Sequence, residues 1–144
     1  MFKKIGVIFK ESLSFDKDIS PHIETILSHS KELYFHESAE DAPNDFPKLS
    51  KDELGDQSDL IIVFGGDGTM LSTARDFIGY DIPIMGVNFG QVGFLTDSSE
   101  NNFKQSIDDV FNDNFKLEER SFVKAQFDDK EIFGLNEIVL HYFI

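Results

Sequence analysis

The chain has 144 residues, a formal net charge of −14 and no cysteine. Its length suits one ordinary domain with a real core, and the missing cysteines exclude a disulfide framework and a thiolate metal site, in keeping with a reducing cytoplasm. The acidic excess repels nucleic acid and anionic lipid, and no Lys/Arg cluster offsets it, so neither nucleic acid nor membrane is expected as a partner; an anionic nucleotide can still be held by backbone amides and a metal ion.

The apolar run Ile5-Gly6-Val7-Ile8-Phe9 is too short for a signal peptide and is broken by Lys10-Glu11, so residues 3–9 read as a first strand. No stretch approaches the ~20 apolar residues that span a bilayer. Residues 16–30 place Ile19, Ile23, Ile26 and Leu27 at helical spacing, with Pro21 in the first turn, where proline is tolerated. Leu33-Tyr34-Phe35 reads as a short second strand. The polar segment from Glu37 to Gly55 reads as a loop with a short helix near residues 51–54. Residues 59–64 form a third strand, 69–79 a helix, and 82–88 a fourth strand with Pro83 early in it. This order predicts an α/β fold: an open, mostly parallel sheet with helices on both faces.

The pattern then changes. Residues 99–112 predict one more amphipathic helix, with Phe103, Ile107, Val110 and Phe111 on one face. Leu117–Asp128 alternates loosely, Asp128-Asp129-Lys130 reads as a hairpin turn, and residues 132–144 are β-rich. A second, β-rich domain is expected to start near Phe115, giving an α/β domain over 1–114 and the beginning of a β-rich one over 115–144. The chain stops on Val139-Leu140-His141-Tyr142-Phe143-Ile144, an apolar strand with an unpaired edge. A fragment, or an end covered by another subunit, is therefore expected.

Three segments carry the chemistry. Gly65-Gly66-Asp67-Gly68-Thr69 joins the buried strand Leu60–Phe64 to a helix N-terminus. Such a turn leaves amides unpaired in front of the positive end of the helix dipole and suits a phosphate. The acid in its middle makes sense if it takes a proton from a hydroxyl nucleophile or holds a metal ion beside the phosphate. The plain alternative is a glycine turn with Asp67 as helix N-cap. The turn matches neither the P-loop pattern nor the dinucleotide fingerprint. Gly86-Val87-Asn88-Phe89-Gly90-Gln91-Val92-Gly93-Phe94-Leu95-Thr96-Asp97 follows the neighbouring strand, and its glycines let backbone approach a ligand closely. Its plain reading is a turn with Asn88 bonded to its own backbone. In Leu135-Asn136-Glu137-Ile138-Val139-Leu140 a polar pair interrupts an apolar strand; its plain reading is an alternating strand with Glu137 solvated.

Together these segments resemble the NAD kinase family. Gly65–Thr69 looks like its GGDGT motif, Gly86–Asp97 like its GxNxGxxGFLTD segment, and Leu117-Glu118-Glu119-Arg120 like the stretch entering its second domain. Asn136-Glu137 sits where the family has its NE/ND pair. The resemblance runs along essentially the whole chain. It implies phosphoryl transfer from ATP, with Mg²⁺ carried in on the ATP, to the 2′-hydroxyl of the adenosine ribose of NAD. Asp67 would be the general base, and Gly65, Gly66, Gly68 and Thr69 the phosphate turn. Asn88 would contribute to nucleotide binding and Gly93-Phe94 to the wall between domains, while Asn136 and Glu137 would hold the adenosine portion of NAD. No resident metal ligands are implied, and the complete enzyme would be a homo-oligomer. Two departures stand out: Ser72 occupies a position where some members carry a basic residue, and nothing here resembles the family's TGSTAY-type segment. Activity of this polypeptide alone is therefore not expected. The competing readings are a lipid or sugar kinase sharing the GGDGT-type turn, whose downstream motifs do not fit Gly86–Asp97, and a non-catalytic nucleotide-binding module or remnant.

Overall fold

Alternation along the strands decides which helices each face of the sheet receives. In the computed structural model, which describes residues 2–91, 93–135 and 137–139, six parallel strands form one sheet. They are β1 (Lys4–Phe9), β2 (Glu32–His36), β3 (Lys48–Leu49), β4 (Leu60–Gly65), β5 (Ile84–Asn88) and β6 (Ser98–Ser99), in the order β3-β2-β1-β4-β5-β6. On one face Ile5, Val7, Leu33, Phe35, Ile62, Phe64 and Val87 pack against α1 (Ser20–His29) and α4 (Phe103–Phe111). On the other, Tyr34, Ile61 and Val63 receive Leu54 of α2 (Lys51–Gln57) and Met70 of α3 (Asp67–Asp76), together with Phe77 just beyond α3. The expected open sheet with helices on both faces is present.

β4, at the centre of the sheet, is buried along its whole length, as a parallel strand covered on both faces must be. It pairs with β1 on one side and β5 on the other. The chain steps outward from β1 to β2 and β3 and then, in the other direction, from β4 to β5 and β6. The order therefore reverses between β1 and β4, and the crevice beyond the carboxyl ends of such strands is where ligands bind in open α/β sheets.

Several boundaries differ from the sequence expectation. Residues 15–19 form a π-helical turn ahead of α1, with Pro21 in the first turn of α1. Leu27 is exposed (42%), because Ile19, Ile23 and Ile26 already fill the inward stripe and Leu27 lies about 100° around the helix from Ile26. The helix expected over 69–79 starts earlier, at Asp67, and ends at Asp76. The two-residue strands β3 and β6 carry too few residues to show a period. The hairpin was expected and is present: β7 (Val123–Phe127) pairs antiparallel with β8 (Lys130–Gly134) across Asp128, whose φ is +51°. Of the terminal run, Leu140 to Ile144 lie outside the described residues, as does Asn136.

Candidate functional site

The Gly65–Thr69 turn sits at the carboxyl end of β4, beside the point where strand order reverses. Gly65 closes the strand, and the hydroxyl of Thr69 lies 2.5 Å from where a Cβ on Gly65 would stand, so a side chain there would collide with the first turn of α3. Gly66 is the N-cap, and the amide of Met70 donates to its carbonyl at 3.0 Å. The amides ahead of Met70 have no carbonyl within the helix to receive them. Space is open at both Gly66 and Gly68, and neither has a positive φ. These glycines leave the helix N-terminus uncovered and are not there for backbone strain.

Asp67 is the first residue of α3, not its cap, and makes no capping hydrogen bond. Its carboxylate receives two backbone amides from the second segment instead: Phe94 N–H donates to Oδ2 and Leu95 N–H to Oδ1, each at 2.9 Å. These bonds, Phe94 first and Leu95 second, hold its pKa below the ordinary aspartate value. Asp67 is half-buried, and Phe94 beside it is almost wholly exposed, at 95%.

Asn88 ends β5 in register with Gly65, and the amide of Phe89 donates to the Gly65 carbonyl at 2.8 Å. Asn88 is buried at 7% exposure, its Nδ2 donates to the Thr96 hydroxyl at 3.2 Å, and its Oδ1 has no partner. The Asn88 side chain thus spans the loop and does not fold back on its own backbone. Asp97 closes the segment by pairing with Gly86: its amide donates to the Gly86 carbonyl at 2.9 Å, and the Gly86 amide donates to Oδ2 at 2.8 Å. Solvent reaches Asp97 as a residue, but its carboxyl is turned onto the sheet edge; burial raises its pKa against the opposing Gly86 bond and the charge of Arg120.

The structure therefore gathers Gly65, Gly66, Asp67, Gly68, Thr69, Asn88, Gly93 and Phe94 at one end of the sheet. Leu95, Thr96 and Asp97 belong with them, although the motif pattern alone points to Gly93 and Phe94; the polar Thr-Asp ending was the available signal. A groove of about 500 Å³ beside this end is lined by Met70, Phe94, Leu95, Arg120, Phe122 and Leu135 among others, so the start of the third segment approaches the second. Glu137 is exposed, and none of the hydrogen bonds among the described residues joins it to the Asp67 group. Among the described residues no three His, Cys, Asp or Glu side chains gather into a metal cage, and no helix is long and apolar enough to cross a membrane.

Comparison with known proteins adds a family pattern. Residues 14–115 match the family model described as ATP-NAD kinase N-terminal domain. The chain is 34% identical to an NAD kinase of Natranaerobius thermophilus over 96% of its own length and 51% of that protein's. It therefore spans about half the length of that relative. A yeast NADH kinase crystallised with NADH superposes with a TM-score of 0.70 at 18% identity, over 92% of this chain and 46% of that one. An Archaeoglobus fulgidus NAD kinase in complex with ATP gives 0.53 at 24% identity, over 84% and 40%. At these identities the two structures establish likeness of fold.

Proposed function

Because this chain belongs to the ATP-NAD kinase family, we propose that it supplies the phosphate-binding and catalytic part of an NAD kinase. Residues 1–114 form that part, and 115–144 begin the β-rich domain that holds NAD. In the reaction the 2′-hydroxyl oxygen of the NAD adenosine ribose attacks the γ-phosphorus of Mg–ATP. The bond from that phosphorus to the β–γ bridging oxygen breaks, ADP leaves, and the hydroxyl proton passes to Asp67 and then to water. The divalent cation travels with the phosphate donor. Gly65, Gly66, Gly68 and Thr69 present the open helix N-terminus to the donor phosphates. Asn88 contributes to the nucleotide site, Gly93 and Phe94 help form the wall between the domains, and Asn136 and Glu137 take the adenosine part of NAD. The complete enzyme is read as a cytoplasmic homo-oligomer.

The observation that carries this reading is the placement of Asp67. A carboxylate stands at an uncovered helix N-terminus beside the strand-order reversal, held by two amides of the neighbouring segment. An aspartate whose pKa is lowered further is a weak base. It acts by orienting the hydroxyl and accepting its proton late, which suits phosphoryl transfer, where positioning and charge stabilisation dominate.

The test is an NADP-formation assay on the complete enzyme with NAD and Mg–ATP, run beside calorimetric titration with each nucleotide; the 144-residue chain alone is expected to be inactive. Asp67→Asn keeps size and removes the proton acceptor; turnover is expected to fall about 10²–10⁴-fold, the range of general-base contributions, with nucleotide binding retained. Near-native turnover in that variant would remove Asp67 from the chemistry. Binding of both nucleotides by the unsubstituted complete enzyme, with no NADP formed, would favour a non-catalytic nucleotide-binding module.

A further inference from the structure

The family reading gives Asp67 a role but does not say what fixes its carboxylate. We propose that the backbone of Gly93, Phe94 and Leu95 is the positioning element for Asp67, with the absent side chain at Gly93 making room for the carboxylate. The proposal rests on the reading of Asp67 given above for its consequence in catalysis, and on geometry alone for the clamp itself.

Two independent observations carry it. The first is the pair of 2.9 Å bonds, one amide to each carboxylate oxygen. A single bond would leave the group free to turn about its terminal torsion; two from consecutive residues fix its plane. The second lies at Gly93. A Cβ built there falls on Oδ1 of Asp67, with Cγ at 2.7 Å and Oδ2 at 3.0 Å. Any side chain at 93 and the seated carboxylate exclude each other. The three atoms nearest that Cβ all belong to the Asp67 carboxyl, so glycine is needed there for space.

The arrangement leaves the acid usable. A carboxylate has about four lone-pair sites, and two amides take one on each oxygen. The remaining pair can accept a hydroxyl proton without either amide letting go. Amide donation favours the charged form, so Asp67 stays ionised across neutral pH and enters the reaction oriented in advance. The loop carrying the amides is itself tied down, by Asn88 to Thr96 and by Gly86 to Asp97, so the clamp is anchored to β5 and does not hang from a free loop.

The test reads the carboxyl directly. In the 144-residue chain, NMR titration of the Asp67 carboxyl carbon should give a pKa below the ordinary aspartate value. The Phe94 and Leu95 amide shifts should titrate with that same midpoint. In Gly93→Ala the three atoms nearest the new methyl all belong to the Asp67 carboxyl, the end of a side chain that can move aside, so the fold is expected to survive. The Asp67 pKa should then rise toward the ordinary value, and the two amides should lose their shared titration. In NADP formation by the complete enzyme the same substitution should lower kcat about 10²-fold, the scale of an ångström misplacement, with little change in KM. Asp67→Asn offers a check that does not depend on Gly93: its single acceptor oxygen can serve one amide, so one of the two amide signals should shift strongly.

A link that merely braces the loop would leave the carboxyl titration unmoved by Gly93→Ala as long as the fold held. That result would overturn the proposal, as would wild-type amides of Phe94 and Leu95 that do not follow Asp67. If the complete enzyme forms no NADP, the proposed function fails and the titrations still decide the clamp.

Discussion

The α/β body and the β7–β8 hairpin are built from comparable apolar residues and end up in opposite states. Every buried residue among those described lies at or before Phe111; beyond it the described residues are exposed or half-exposed. In the body, Phe35 is fully buried with the rings of Phe9, Phe15 and Phe46 around it. In the hairpin, the register Val123↔Gly134, Ala125↔Ile132 and Phe127↔Lys130 gathers Val123, Ala125, Phe127 and Ile132 on one face. Phe127 is 76% exposed there, Ile132 54% and Val123 49%. The opposite face carries the Lys124–Glu131 ion pair. A two-stranded ribbon has nothing of its own to pack on, whereas a six-stranded sheet with helices on both sides does. The difference bears on function: Gly65–Thr69 and Gly86–Asp97 stand on the packed sheet, whereas Glu137 follows the ribbon.

The largest expected effect tests that contrast directly. Phe35→Ala should cost about 3–5 kcal/mol, the range for large-to-small changes at buried aromatic sites. Phe127→Ala should stay within about 0.5 kcal/mol, as surface changes do. Urea unfolding followed by far-UV circular dichroism measures both. Similar losses for the two would mean that the hairpin face is covered in solution, and the comparison would fail.

What the sequence made legible follows the same division. Strands β1, β2, β4 and β5 and helices α1, α3 and α4 announce themselves by apolar runs or by helical spacing, because each is long enough to show a period and has a face to bury. β3 and β6 do not, since Lys48-Leu49 and Ser98-Ser99 owe their place to neighbouring strands already in position. The same holds within the site. The glycine turn was readable because glycine, acid and helix start are adjacent in sequence. The union of Asp67 with Phe94 and Leu95 was not, because it spans more than 25 residues and depends on β4 and β5 pairing with Gly65 opposite Asn88. The closeness of Gly93 to the Asp67 carboxylate was not readable either, for the same reason.

A smaller effect sharpens the account of how the body holds its edges. α2 starts with a capping box: Ser50 Oγ accepts the Glu53 amide, and Glu53 accepts the Ser50 amide at 2.9 Å. The Ser50 amide, and the Ser50 hydroxyl donating to Glu53 Oε2 at 2.9 Å, hold Glu53 below its ordinary pKa. Ser50→Ala should cost about 1 kcal/mol, within the usual range for loss of an N-cap. Thermal or urea unfolding measures it. A neutral result would mean that packing of Leu54 alone, fully buried under β2 and β4, sets the start of α2.

The smallest expected effect is a pH dependence at His22. His22, half-buried on α1, stacks on Phe64 with ring centroids 5.8 Å apart and meets the edges of Phe103 at 4.7 Å and Phe89 at 5.8 Å. Burial among these rings lowers its pKa, and the charge of Glu100 opposes the shift. In the unfolded chain His22 takes up a proton near its ordinary pKa of about 6.5; in the folded chain it does so only at lower pH. Between those two values the unfolded state binds more protons, so stability falls as pH drops. The contribution is fully present above about pH 6.5 and is lost as pH falls through the folded value. His22→Phe keeps a ring in the cluster and removes the titrating group. Its stability relative to the parent should therefore improve between pH 7 and pH 5, as measured by urea midpoints in the two proteins. The other histidines are common to both, so their titrations cancel in that difference. A constant difference across this range would show that solvent reaches His22 freely and that the aromatic cluster behind the Gly65–Thr69 turn is looser than the packed sheet beneath it.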